Sequence, residues 1–557
     1  SELSYLCMGS DIVSLDHGLI VHLPFNKDLL NYSGVPLSLG SENLQLEEVV
    51  SSKSPTSHAV RFNGINSCLT IQGHPALQLD DFAISCWIET EWSTDVVGDI
   101  VSQFDPKTRH GFGLSLITNT GVTSTAQANY RNVHFGIDQG DRAVNWVNHG
   151  RPGNAVLVKA LHVSNGYLYA STFEAGPEET GHLWLYEGPH KWRDLGSSPD
   201  RSNSISSIVS FSGSLYCCTG RYNSHGSALG PAKNTNPGGR VYRVESDGKW
   251  TYCGHPGIDD AVPEDQLMEG YETGKADMCG SLTVFKGQLF VTCYYRRGVF
   301  KYEGGECWKP VGLDKRLFSF TIYQGELYAL ANGGEVFRYI ADHEWEYCGT
   351  PIGSTQTYGA AIYQGDLYVG TWPVGDIQRY VGGKSWEPIS QAGDEQEIMA
   401  MAIYNQKLYA GSLPSADVWR LDAGRLTFIA NLDSTPDVTY RRVWSMAVYG
   451  GKLFAGTLPM GQVMSLEVGV NATVDYALPC GWQHLVAMRV GKRLQVYVNG
   501  QCMADVLTGK DLNLHGLELP ITVGSGAHAY YNGKMYDFRI YNRDLSQDEI
   551  MSLACAG

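Results

Sequence analysis

The amino-acid sequence predicts an all-β protein in which a seven-bladed β-propeller is inserted into a two-part β-sandwich. Three observations lead there. One short phrase recurs through the middle of the chain. The two ends carry strand patterns of a different kind. Finally, Gly 64, Tyr 32 and Trp 13 among 557 residues favour β-structure joined by tight turns.

The recurring phrase has the form IY-x-G-x-LY-x-G. It begins at Val163 (VSNGYLYAS), Phe211, Phe285, Tyr323, Tyr363 (YQGDLYVGT), Tyr404 and Tyr449, with successive spacings of 48, 74, 38, 40, 41 and 45 residues. A period near 40 with strand patterning is the mark of a propeller blade. Within one copy, GAAIY or AMAIY reads as an innermost strand, small enough to crowd at an axis. QG or GG supplies a two-residue hairpin turn. LYVGT, VFRYI and WEYCG then read as strands two to four, the Trp packing between blades. One blade cannot cover both of its faces, so neighbours must, and a closed ring removes exposed edges.

The ends read otherwise. GLIVHLPFN at Gly18, HAVRFNGINSCLTI at His58 and LDDFAISCWIET at Leu79 stand before the repeats. GWQHLVAMRVGKRLQVYVNGQCMAD at Gly481 and GKMYDFRIYNRDLSQDEI at Gly533 stand after them. Motif by motif and in order, these stretches resemble the concanavalin A-like, laminin-G-like jelly roll. The resemblance implies one sandwich interrupted by the propeller, with residues 1–147 as its first part, 148–479 as the propeller and 480–557 as its second part. Jelly rolls of this type often bind sugars or calcium. Asp537, in MYDFRIY, is the residue the resemblance offers as a calcium ligand, and no other cofactor is expected.

Composition excludes some functions. A net charge of −17 argues against a general nucleic-acid binder, which needs a basic footprint. No apolar run is long enough for a transmembrane helix, so no membrane partner is expected. The 13 cysteines include no CxxC pair, and most fall in apparent strands, where they read as small buried hydrophobes rather than disulfides. The start of the sequence shows no secretory signal. An enzyme acting on glycans is nevertheless expected to work outside the cell or in the periplasm. Templates for phosphate loops, HExxH zinc sites and GxSxG nucleophiles are absent, and SDGKW at Ser246 lacks the spacing of a sialidase Asp-box.

In an up-and-down meander, the loops between strands two and three open on the same face as those joining blades. Read in order, these loops gather cations and aromatics. GRYNSHGSALGPAKNTNPGGR, from Gly220 to Arg240, holds Arg221, Tyr222, Asn223 and His225 and not one acidic residue. The next insertions add Lys275 and Asp277, then Tyr294, Tyr295, Arg296 and Arg297. Later blades bring Arg316, Asn332, Tyr358 and Trp372, and TYRRVW supplies Tyr440, Arg441, Arg442 and Trp444.

Aromatic platforms stack on sugar rings, and Arg forks pair with carboxylates. The expected partner is therefore an acidic oligo- or polysaccharide. The expected activity is a lyase cleaving uronate-containing glycans by β-elimination, with Tyr222 and His225 moving protons and Arg296, Arg297 and Arg441 neutralising the uronate. The remaining loop residues above would bind substrate. Several polysaccharide lyase families also use seven-bladed propellers with His/Tyr/Arg sites, which is a resemblance of fold. One alternative is a glycoside hydrolase on the same face, needing two carboxylates about 5–10 Å apart, with Asp277, Glu174 and Glu397 as candidates. The other is a non-catalytic lectin or a protein-interaction platform.

Overall fold

The computed structural model describes residues 14–49, 58–91, 98–140, 145–176, 178–257, 278–293 and 298–556. The chain divides into two compact units. One comprises Ser1–Ile117, Arg131–Arg142 and Val468–Gly557, and the other Thr118–Tyr130 and Ala143–Glu467.

The first unit is a sandwich built from both ends of the chain. In one sheet, Asn532–Tyr541 lies between His58–Asn63 and Phe82–Thr90, and Gly481–Val490 pairs with the other edge of Phe82–Thr90. In the other, Ile521–Val523 lies between Cys68–Ile71 and Gly98–Asp105. Early and late segments thus interleave in both sheets. Their inward side chains, among them Phe62, Phe82, Phe112, Phe135, Leu485 and Phe538, make one buried core. Phe82 meets the rings of Phe112 and Phe135 at centroid distances of 5.0 and 6.0 Å.

The second unit is a propeller. Its described residues form four-stranded antiparallel meanders with innermost strands Leu157–Ser164, Ser204–Phe211, Cys279–Phe285, Leu317–Tyr323, Gln356–Tyr363, Glu397–Tyr404 and Arg442–Tyr449. Each innermost strand packs beside the next, and the last packs beside the first, so the ring closes. The QG turns fold as the repeat requires. Gln364 and Gly365 both have positive φ (50° and 81°), the type I′ geometry that matches strand twist. The fourth-strand tryptophans tie neighbouring blades: Trp308 Nε1 donates to Cys253 O (2.7 Å), Trp345 to Val311 O (3.0 Å) and Trp386 to Cys348 O (2.9 Å).

The last meander takes its outermost strand from the beginning of the propeller segment. Trp146–Asn148 pairs antiparallel with Val463–Leu466. Trp192 Nε1 donates to His149 O (2.9 Å), so this borrowed strand receives the same tryptophan tie as the others. The compact units therefore divide at other positions than 147/148 and 479/480. Trp146–Asn148 goes with the propeller because it completes a blade, and residues 468–479 go with the sandwich, where Val470–Thr473 pairs with Thr125–Gln139.

The cysteines follow the reading from sequence. Cys217, Cys218, Cys253, Cys279, Cys293 and Cys348 are buried free thiols. The Oδ1 of Asp537, the residue the resemblance offers as a calcium ligand, accepts from His22 Nε2 (2.9 Å) and Arg539 Nε (2.8 Å). Burial works to raise this carboxyl, but the His22 bond and the Arg539 charge hold it below its ordinary value. Among the described residues no cluster of three or more His, Cys, Asp or Glu is placed to hold a metal.

Candidate functional site

A cavity of about 180 Å³ opens on the propeller face where the innermost strands begin and the second strands end. Four innermost-strand positions recur in it. Arg316, Gln356, Glu397 and Arg442 each stand seven residues before the tyrosine that closes their strand, namely Tyr323, Tyr363, Tyr404 and Tyr449. Two residues further along, Tyr358 and Trp444 also line the cavity. Second-strand ends contribute Tyr222, Asn223 and Gly226, then Asn332 and Trp372, while Tyr440 precedes the last innermost strand. The repeat itself thus brings a polar residue from each of four blades to a common cavity.

The walls are aromatic. Tyr222, Phe318, Tyr358 and Trp444 belong to one buried cluster, joined by Trp372 and Tyr440 at its margin. Phe318 stacks on Tyr358 at 3.9 Å, and Trp444 meets Tyr222 and Tyr358 edgewise at 6.1 and 6.2 Å. Tyr222 also packs on Phe173 at 4.8 Å.

Against this wall lie a buried acid and a buried base. Glu397 is 2 % exposed and Arg442 is 7 % exposed. Burial pushes the Glu397 carboxyl up to about 8, with Arg442 partly offsetting it. The Arg442 guanidinium lies over Tyr440 (5.2 Å) and Trp444 (5.6 Å), and its Nη2 donates to Gly226 O at 3.2 Å. Three buried polar atoms here have no hydrogen-bond partner: Glu397 Oε1, Arg442 Nε and Trp444 Nε1.

Below Tyr222 sits Lys159, fully buried, its Nζ 4.5 Å from the ring centroid and 3.4 Å from Ser204 Oγ. Burial lowers this lysine to about 7. Burial raises the Tyr222 phenol above its ordinary value, with Arg442 working against it, so the hydroxyl stays protonated; its oxygen is hydrogen-bonded to Ser227 Oγ.

Of the residues expected from sequence, Tyr222, Asn223, Arg316, Asn332, Tyr358, Trp372, Tyr440, Arg442 and Trp444 line this one cavity. His225 does not. It sits exposed in the short turn Ser224–Ser227. Arg441 is also outside the cavity lining, its Nε donating to Thr435 O at 2.6 Å. Arg221 is half-buried beside the cavity without lining it. Lys275, Asp277, Tyr294, Tyr295, Arg296 and Arg297 lie outside the described residues. Glu174, considered for hydrolysis, is buried elsewhere, accepting from Thr172 Oγ1 at 3.3 Å. Sequence reasoning missed Gln356 and Gly226, and it placed Glu397 in the weaker reading. Counting back from the closing tyrosines would have found Gln356 and Glu397.

Residues 462–551 match the concanavalin A-like lectin/glucanases superfamily. No curated protein matches the chain. Among solved structures, a catalytically inactive virginiamycin B lyase from Staphylococcus aureus with quinupristin is similar at 10 % identity and TM-score 0.42, over 58 % of this chain and 100 % of that one. The WD40 β-propeller domain of Doa1 is similar at 11 % identity and TM-score 0.40, over 58 % and 97 % of the two chains. A putative gluconolactonase is similar at 12 % identity and TM-score 0.34, over 59 % and 94 %. Similarity this low transfers no activity to this chain.

Proposed function

We propose that the protein binds a uronate sugar of an acidic glycan in the propeller cavity and cleaves the chain there by β-elimination. The observation that carries this reading is the pair of Glu397 and Arg442, buried together under an aromatic wall with polar atoms lacking partners. Unpaired buried polar groups are costly, and a ligand seated in the cavity would supply the missing bonds. The aromatic rings take the sugar's apolar face. Arg442 and Arg316 take its carboxylate, which makes the C5 proton more acidic.

Glu397 is then the base. A carboxyl raised to about 8 is a stronger proton acceptor than an ordinary one and is part-ionised near neutrality. The electron pair of the C5–H bond becomes the C4=C5 double bond, and the C4–O pair leaves with the glycan oxygen. Tyr222, protonated by virtue of its burial, gives its proton to that oxygen, and the proton held on Glu397 restores the phenol. Hydrolysis fits less well, because Glu397 alone among the described cavity-lining residues carries a carboxylate.

The test is ultraviolet absorbance of the unsaturated uronate during incubation with a panel of uronate polymers. The wild type should generate it, and Glu397→Gln should slow it by about 10²–10⁴-fold while staying folded. New reducing ends without that absorbance would replace elimination by hydrolysis. Saturable binding without either signal would leave a lectin.

A further inference from the structure

A hairpin from outside the repeats occupies the space among the innermost strands, and its turn reaches the backbone of the cavity-lining Trp444. Residues Thr118–Tyr130 belong to the propeller unit and lie among its innermost strands. Their amides bond both polar groups of single residues on different blades. Gln127 accepts from Val284 N (2.9 Å) and donates to Val284 O (2.8 Å), and Asn129 does the same at Val448 (2.9 and 2.7 Å). Asn119 accepts from Ile403 N at 2.9 Å, and Thr120 Oγ1 accepts from Ile322 N at 3.0 Å. A Cβ on Gly121 would lie 2.8 Å from that of Ala360, so no room remains on that side either.

The turn of this hairpin points at the cavity. Thr123 Oγ1 donates to the carbonyl of Trp444 (2.7 Å), a cavity-lining residue, and Ser319 Oγ donates to Thr123 O. Ser124 Oγ donates to Lys159 O (3.4 Å), two residues along the strand from Leu157 of the aromatic cluster. The axial channel is therefore filled by chain up to the level of the site. Among the described residues this leaves the cavity its opening at the propeller face.

Resting on the function proposed above, we infer that the cavity accepts only the reducing-end residue of a uronate chain. The space, about 180 Å³, is below the roughly 300–1,000 Å³ of sites for drug-sized ligands and suits one ring. A chain threaded through would need a second opening, which the hairpin closes. Arg442, Arg316 and Glu397 recognise and act on the uronate itself, so the uronate is the residue inside. The bond it loses is C4–O, so the rest of the chain extends from O4 through the mouth and C1 faces inward. Each event then releases one unsaturated uronate from the reducing end.

The experiment is a calorimetric titration of the Glu397→Gln variant with uronate oligosaccharides of increasing length, each also tested after borohydride reduction of its reducing end. One protein should bind per chain whatever the length, and reduction, which opens the terminal ring, should abolish binding. Stoichiometry that grows with length, or equal binding of reduced chains, would overturn end recognition while leaving the proposed function intact. Absence of binding at every length would remove that function and this inference together. Wild-type turnover gives an independent readout if the variant is unstable: a single unsaturated monosaccharide from the first moments supports the inference, and a spread of oligosaccharides contradicts it.

Discussion

The channel and the cavity above it are both buried and both polar, yet they treat polarity in opposite ways. In the channel, the amides of Asn119, Gln127 and Asn129 meet backbone N–H and C=O groups of the blades directly. In the cavity, Glu397 Oε1, Arg442 Nε and Trp444 Nε1 meet nothing. Burial costs are alike in the two places, so the difference lies in what each place is for. The satisfied amides fix a register; the unpaired groups of the cavity are ones a bound sugar would pair under the proposed function. Hydroxyls are less strictly paired: Thr125 Oγ1 in the hairpin, and Ser206, Ser281, Thr283 and Thr321 on the innermost strands, are buried without a partner.

The sharpest way to break the comparison is to remove a satisfied amide. Gln127→Ala leaves both Val284 N and Val284 O unpaired in a buried channel, and should cost about 2–6 kcal/mol at about 1–3 kcal/mol per orphaned group. Chemical denaturation measures it. A loss below the size of an ordinary surface substitution would mean that the hairpin's bonds do not matter to the propeller.

The converse change, in the cavity, should relieve the fold rather than harm it as pH rises. The folded-state value of Glu397 is raised to about 8, so the folded protein holds this proton more tightly than the unfolded chain does. Its stabilising contribution is fully present below the ordinary glutamate value and is lost as pH climbs through about 8. Between about pH 5 and about pH 8 the wild type should therefore lose on the order of 3 kcal/mol relative to Glu397→Gln. Melting both proteins across that range checks it. Parallel curves would show that Glu397 ionises freely in the folded state.

Much of the fold was legible because packing constrains it. The phrase around Tyr363, Tyr404 and Tyr449 marks strands that must cover neighbouring blades, and the motifs at Phe82 and Phe538 mark inward faces of one sandwich core. The borrowed strand Trp146–Asn148 was not legible, since three residues on the outer edge of a sheet carry little pattern. Nor was the hairpin plug. Its Asn, Gln and Thr residues read from sequence as sandwich, because only the channel explains their polarity. In the site, the arginines and aromatics of the loops pointed to the right face, but loop composition could not separate Arg442, which is buried in the cavity, from Arg441, which turns to Thr435. His225 misled for the same reason: a histidine in a rich loop says nothing about which way the turn faces.

The proposed function requires that this cavity recognise an acidic sugar ring through Arg442. Trp444 and Trp372 line it, so their fluorescence reports occupancy directly. Titrating a uronate monosaccharide and its neutral parent sugar into the wild type, His225→Ala and Arg442→Met tests the claim most simply. The account predicts a saturable change with the uronate alone, unchanged by His225→Ala and weakened by about 10-fold or more in Arg442→Met, the worth of a charged hydrogen bond of about 1.5–3 kcal/mol. Equal responses to both sugars, or a response that survives the loss of Arg442, would contradict it.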